Sequence, residues 1–458
     1  MAQILYPKFT EDRGPGYWLQ IGNLIASRRS FRPDHSNAWR YAFGAPESEI
    51  RSVSFAALLP PEKDTSRRGF RFVILADTGE GDKSQYGLLP LLRHLRPDFM
   101  ILVGDLANPA GRISSENDRK TDDYLAGFFE PYRNFNVPIW SVPGNHEYYA
   151  EGQGREYYDT FCTRKYAGRW AEYGLRIVPQ PGTYWELKDE GSPLIVIGVD
   201  TGKAGRLDGG RGEPADGRQY RWLEDRLTLT DREGKSVLLV FHIPVLDGQK
   251  KDKKPRLDGL YRIVSGHRSV RWVVCGHTHN YQEYGPEMFA EFLRREMRVS
   301  VPVARAYHLI NGGGGSTLDH TDYESRPRER RYLARRCFPT SGQWAGEYAV
   351  YDPTIVEELD AKRGIWGRIL GSLLRRGAAV VKPNILYDAD RPKFLSFLLV
   401  DVQSEEGAEQ KVSIRPVFME DVERLFAHLP EGTVDIADPN PPANPDEVCR
   451  CLQSELFL

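Results

Sequence analysis

The chain predicts an α/β fold in which buried sheet is covered by helices. Short apolar runs rich in Val and Ile recur through its middle, and stretches with helical spacing lie between them. Each run also ends in Gly, Asp, Asn or His. That puts polar clusters at the C-terminal ends of strands, where folds of this class bind ligands.

The elements follow in order. Residues 1–68 read as an N-terminal extension and linker, with a short helix in "GYWLQIGNLIASRRSF" and a surface linker in "LLPPEKDTSRRG". Strands are expected at 70–76, 99–103, 139–142, 194–199, 236–241 and 270–275. Helices are expected in "QYGLLPLLRHL" after the first strand, "TDDYLAGFFEPYRNF" before the third and "DGRQYRWLEDRLTL" before the fifth. Later strands are "GEYAVYD", "KFLSFLLVDVQ" and "QKVSIRPVF", the last two joined as a hairpin through "SEEGAE" and placed on sheet edges. The domain is thus expected over 69–430, with a helical insertion near 355–385 and a proline-rich tail at 431–458. Within the insertion, 364–381 is apolar and basic; it reads as a helix packed on its own domain or as a weak membrane-surface contact.

Composition narrows the class. With 40% apolar residues and nine Trp there is ample material for a core, and a net charge of -2 gives no specific signal for nucleic acid. Five cysteines without even spacing argue against a disulfide framework, and "CRCLQ" reads as bland. The N-terminus lacks an apolar signal core and no run reaches a membrane-spanning length, so a cytoplasmic location is expected.

Five strand ends carry polar signatures: "ADTG" with Asp77, "VGDLAN" with Asp105, "VPGNHE" with Asn145 and His146, "FHIP" with His242, and "CGHTHN" with His277 and His279. Any one alone is a turn or a satisfied buried histidine. Five in order, each directly after a strand, would converge on one sheet edge. Two divalent metals a few Å apart need a shared carboxylate, with imidazoles and oxygens around it. Such mixed ligation suits Mn, Fe or Zn better than Ca or Mg.

The ordered set D-x-[HG], GD, GNH[ED], H and GHxH resembles the calcineurin-like metallophosphoesterases. The resemblance runs from about Arg71 to Tyr281. It implies a four-layer α/β/β/α sandwich with two central mixed β-sheets, the late strands finishing the second. It also implies a two-metal site in which Asp105 bridges. Asn145, His242 and His277 would complete the second metal, and Asp77 and His279 would hold the first. His146 would stand beside the scissile phosphate as proton donor to the leaving oxygen.

Two departures stand out. Most of the family has histidine two residues after the first aspartate, where this chain has Gly79. Purple acid phosphatases share that glycine but add a ligand tyrosine, and the matching position here is Asn108. Asn108 would offer either a carbonyl oxygen or a hydrogen bond that orients His146, with Glu80, Asp82 or water as other fillers. The first site is therefore expected to bind metal more loosely than the second.

The implied reaction is direct hydrolysis of a phosphate ester by metal-activated water, with no G-x-S-x-G nucleophile in the chain. The partner is a phosphorylated small molecule or a phosphodiester. Lys250, Lys251, Lys253, Lys254 and Arg256 form a basic loop that either steers an anionic substrate or is merely solvated. Tyr148, Tyr149, Tyr281 and Tyr284 stack on a substrate ring or pack. "NGGGGSTLD" reads as a rim loop or a tight sheet turn. The alternative to an enzyme is a non-catalytic scaffold of the same fold.

Overall fold

The computed structural model describes residues 51–60, 69–79, 88–108, 111–114, 122–149, 154–202, 217–244, 246, 257–301, 304–315, 395–403 and 411–418, with backbone alone at 3–5, 336–338 and 433–435. The expected helix in "GYWLQIGNLIASRRSF", the strand "GEYAVYD", the insertion near 355–385, the basic loop at 250–256, and Glu80 and Asp82 lie outside the described residues.

In chain order, β1 (Gln3–Leu5) and β2 (Ser52–Val53) precede β3 (Phe70–Leu75), α1 (Leu89–Leu95) and β4 (Phe99–Val103). A π-helical segment (Leu125–Phe129) leads to β5 (Pro138–Val142), α2 (Arg155–Phe161), α3 (Ala167–Glu172) and β6 (Arg176–Ile177). Next come β7 (Trp185–Leu187), β8 (Leu194–Gly198), α4 (Gly217–Glu233), β9 (Ser236–Val240), α5 (Asp258–Gly266) and β10 (Val270–Cys275). Then follow β11 (Tyr281–Tyr284), α6 (Pro286–Glu296), β12 (Tyr307–Asn311) and β13 (Arg336–Phe338). The chain closes with β14 (Ser396–Gln403), β15 (Lys411–Phe418) and β16 (Thr433–Asp435).

Apart from β1 and β16, which pair with each other, these strands build two mixed sheets. One has six strands in the order β15-β14-β3-β4-β5-β6, the other eight in the order β13-β11-β12-β10-β9-β8-β7-β2. The pleat explains the layering, because successive side chains on a strand face opposite ways. On β3, Phe72 and Ile74 join an inter-sheet core with Trp140, Trp185, Val196, Leu238 and Val240. The alternate residues Val73 and Leu75 face outward into a cluster with Leu91, Leu92, Phe128 and Phe161. The other sheet repeats the pattern, with Ile195, Leu239 and Val273 packed against Leu223, Tyr261 and Phe292. The result is helix, sheet, sheet, helix. Trp185 fastens the two sheets: its ring meets Trp140 edge-on at 5.6 Å, and its Nε1–H donates to Ser141 O at 2.7 Å.

Several details depart from the sequence reading. The late hairpin forms, but on the six-stranded sheet, where β14 pairs antiparallel with β3 and β15 takes the edge. The helix expected in "TDDYLAGFFEPYRNF" forms only over 123–129, where residues 123–124 lead into the π-helical segment, and turns follow it. Pro131 lacks the N–H that would continue it, and Gly127 sits so close to the Gly79 and Leu106 carbonyls that a Cβ would lie 2.7 Å from the latter. Ser52–Val53 pairs in parallel with β7, and Phe55, Leu58 and Leu59 enter the inter-sheet core. Within 431–458, β16 pairs in parallel with β1.

Candidate metal centre

The five signature segments do not share one sheet. β3, β4 and β5 deliver Asp77, Asp105 and the Asn145–His146 pair from the six-stranded sheet, while β9 and β10 deliver His242, His277 and His279 from the other. The two C-terminal edges meet directly. His242 Nδ1 donates to Val103 O at 2.8 Å, and the His277 backbone N–H donates to Asp77 Oδ2 at 2.8 Å.

Three of the converging residues, Asp77, Asp105 and His277, have positive φ angles of 56°, 54° and 71°. Such backbone is costly for side chains of this kind and persists where the surroundings over-determine it, as at functional sites. What holds these turns is visible. Glu147 is buried and its carboxylate accepts the N–H groups of Asp105 (2.9 Å), Leu106 (2.7 Å), Ala107 (3.3 Å) and Gly144 (2.6 Å). One side chain thereby locks the turns after β4 and β5 to each other. Asp105 Oδ1 adds a further tie by accepting the His146 N–H at 2.9 Å.

Gly79 has a packing role. A Cβ there would lie 2.1 Å from the Leu106 carbonyl carbon and oxygen, so the first two signature turns run in backbone contact. Their main chains are bonded: Gly79 N to Asp105 O at 3.2 Å and Asn108 N to Gly79 O at 2.7 Å. Asn108 is buried beside this seam. The glycine run behaves similarly. Gly312 N donates to Asn280 O and Gly314 N to Ala76 O, each at 3.0 Å, and a Cβ on Gly312 would lie 2.8 Å from Asp77 Oδ2. This segment is a tight sheet-edge turn that backs Asp77.

The ligand atoms form two clusters that share Asp105. Asp105, His242 and His277 make one, and Asp77, Asp105 and His279 the other; within each, the ligand atoms lie within 4.8 Å of one another. Because His242 Nδ1 carries the proton given to Val103 O, a neutral ring turns a lone pair on Nε2 toward the site. There it faces two more acceptors, Asp105 Oδ2 at 3.1 Å and Asn145 Oδ1 at 3.2 Å. Such a trio repels itself unless a proton or a metal cation sits among the three atoms. Asp77 Oδ1 is a buried oxygen with no hydrogen-bond partner, 3.5 Å from His279 Nε2 and 3.9 Å from His242 Nε2.

The electrostatics agree. Burial opposes charge on His242, yet Asp105 and Asp77 outweigh it and push the imidazole up to about 9. Burial likewise works to raise Asp105, but His242 and His146 override it and hold the carboxyl well below the usual carboxylate range. Asp77 is raised, by burial first, with His242 and His279 pulling the other way. The field inside the cleft therefore selects for a cation, and the N/O donor set fits a divalent one.

His146 stands outside both clusters. Its Nε2 is 3.8 Å from Asp105 Oδ2, its ring meets Tyr149 at 4.9 Å, and its side chain remains 22% exposed. Of the four tyrosines noted in the sequence, Tyr148, Tyr281 and Tyr284 are buried and pack; Tyr149 alone borders the site. Sequence reasoning missed Glu147, although it was in the quoted "VPGNHE", and it missed the "VDTG" turn after β8. There, buried Asp200 accepts the Tyr148 hydroxyl at 2.5 Å and Thr201 Oγ1 accepts the Ile243 N–H at 3.0 Å. A further D-x-G after a strand was the signal available for that turn.

Comparison with known proteins adds the following. The probable glycerophosphodiester phosphodiesterase GpdQ of Arcobacter nitrofigilis is 25% identical over 205 residues, which is 43% of this chain and 63% of that protein. Two solved structures resemble the fold. One is GAP50, the anchor in the inner membrane complex of Plasmodium (13% identity, TM-score 0.39, 56% of this chain and 75% of that one). The other is a dimetal phosphatase from Danio rerio (16% identity, TM-score 0.36, 53% and 87%). The model of the family described as calcineurin-like phosphoesterase matches residues 70–281, from the first residue of β3 to the first of β11. That match takes in a little under half of the chain, and over it the segment is similar to the calcineurin-like phosphoesterases.

Proposed function

We propose that this protein hydrolyses a phosphate ester with the help of two divalent metal ions. The observation that carries the proposal is the convergence of His242 Nε2, Asp105 Oδ2 and Asn145 Oδ1 as three lone-pair donors in a field that favours a cation. Asp105 would bridge, Asn145, His242 and His277 would hold one metal, and Asp77 and His279 the other. Bound there, the metals would supply Lewis acidity toward water and toward the phosphate oxygens.

The chain's own groups do the rest. Glu147 and the Asp105–His146 hydrogen bond fix the ligand turns before substrate arrives, so no reorganisation is needed at the moment of reaction. His146, beside Asp105 and partly exposed, would donate a proton to the departing oxygen. Asn108, bonded through its main chain to Gly79, would hold the turn that carries Asp105. The relative from Arcobacter is named for a phosphodiester activity, which favours a diester among the candidate substrates.

The test is a metal-supplemented screen of bis(p-nitrophenyl) phosphate and p-nitrophenyl phosphate. The proposal expects Mn(II)-dependent turnover that falls about 100-fold in His146→Ala while metal content is kept. Turnover unaffected by chelation would count against it. A second expectation concerns the two positions. Backbone contact at Gly79 leaves no room for a side-chain ligand, so the Asp77–His279 position should empty first on dialysis, and equal retention of both ions would contradict this.

A further inference from the structure

The inference concerns Tyr149 and rests on the metal-centre reading above. Asn145 is the one candidate ligand whose two ends are almost the same shape and opposite in polarity: Oδ1 attracts a cation and Nδ2–H₂ repels one. Orientation of the carboxamide therefore decides whether it is a ligand at all. Its inner end is Oδ1, 3.2 Å from His242 Nε2; its outer end donates from Nδ2 to the Tyr149 hydroxyl at 2.9 Å. The partner lies four residues on, and the 3₁₀ turn His146–Tyr148 sets that reach through Tyr148 N–Asn145 O (3.1 Å) and Tyr149 N–His146 O (3.2 Å).

We propose that Tyr149 is a positioning residue that holds the Asn145 carboxamide with its oxygen toward the metal site. Whenever a cation draws Oδ1 inward, the amide hydrogens must turn outward, and the Tyr149 hydroxyl accepts one of them. Without that acceptor a partly buried N–H is left unmatched in the loaded state, and the metal must hold the amide alone. Partners of this kind behind a ligand typically change metal affinity by about 10-fold or more.

The experiment is calorimetric titration of Mn(II) into the full chain and into Tyr149→Phe, Asn145→Ala and the double variant, each checked for an unchanged thermal melt. Phe keeps the ring contact with His146 and removes only the hydroxyl. The expected result is that Tyr149→Phe weakens the tighter of two Mn(II) affinities by about 10-fold and leaves the other unchanged. The double variant should bind no more weakly than Asn145→Ala, since Tyr149 acts through the amide. A wild-type isotherm in Tyr149→Phe overturns the proposal, as does a further loss in the double variant. A wild-type chain that takes up no Mn(II) overturns the metal-centre reading and this proposal with it, so the two failures are told apart.

Discussion

Gly79 shows how much one missing side chain can constrain. Because an added Cβ would meet the Leu106 carbonyl, Gly79→Ala should destabilise the chain by about 3 kcal/mol, at the upper end for overpacking because the obstacle is backbone. Gly79→His, which installs the imidazole that most calcineurin-like phosphoesterases carry at this position, should lower the melting temperature without tightening metal binding. Thermal melts and Mn(II) titration check both. Glu147→Ala should be as damaging, since four N–H donors lose their acceptor; a loss of about 3 kcal/mol in urea denaturation is expected. The residues that converge were legible in the sequence as candidate ligands, because Asp and His recur there directly after apolar runs. The roles of Gly79 and Glu147 were not. Each depends on contact with a loop some 30 to 40 positions away, and no local pattern encodes that.

Among the elements, strands of five or six residues were legible almost to their ends, since their apolar content sets both layers. β2 was not, because two residues carry no period. Nor was the π-helical segment, whose shape answers to the Gly79–Leu106 seam beneath Gly127. The late hairpin was read from its own pattern, but its sheet was not, because a strand does not name its neighbour. What places it includes Asp401 on β14, which takes Arg71 Nε of β3 at 2.5 Å and an Arg415 terminal nitrogen of β15 at 3.1 Å. Asp401→Asn removes the charge both guanidinium groups share. A loss of about 2 kcal/mol is expected for charge-assisted bonds of this kind, read as a lower urea midpoint with unchanged slope.

At the scale of the molecule, four layers bring two sheet edges together, and the site exists only where they meet. The sequence reading anticipated five motifs on one edge; they are split between the sheets, whose edges are tied at the candidate metal centre by His242–Val103 and His277–Asp77 hydrogen bonds. A second buried histidine reports on the eight-stranded sheet. His308 on β12 accepts from or donates to the Tyr261 hydroxyl at 2.9 Å, and burial lowers its imidazole from 6.5 to about 3. A depressed folded-state value means the unfolded chain binds the extra proton between those two pH values, so stability is present above about pH 6.5 and is lost as pH falls toward 3. In that window the wild type should lose about 1.4 kcal/mol per pH unit more than His308→Leu, as read from urea midpoints at successive pH values.

The central claim is that one carboxylate serves two metals. It is tested most directly by the Mn(II) content of the chain at saturation, measured by equilibrium dialysis. Asp105 belongs to both clusters, His277 to one and His279 to the other. The account predicts two ions in the wild type, one in His277→Ala, one in His279→Ala and none in Asp105→Ala. Two ions retained by folded Asp105→Ala would contradict it.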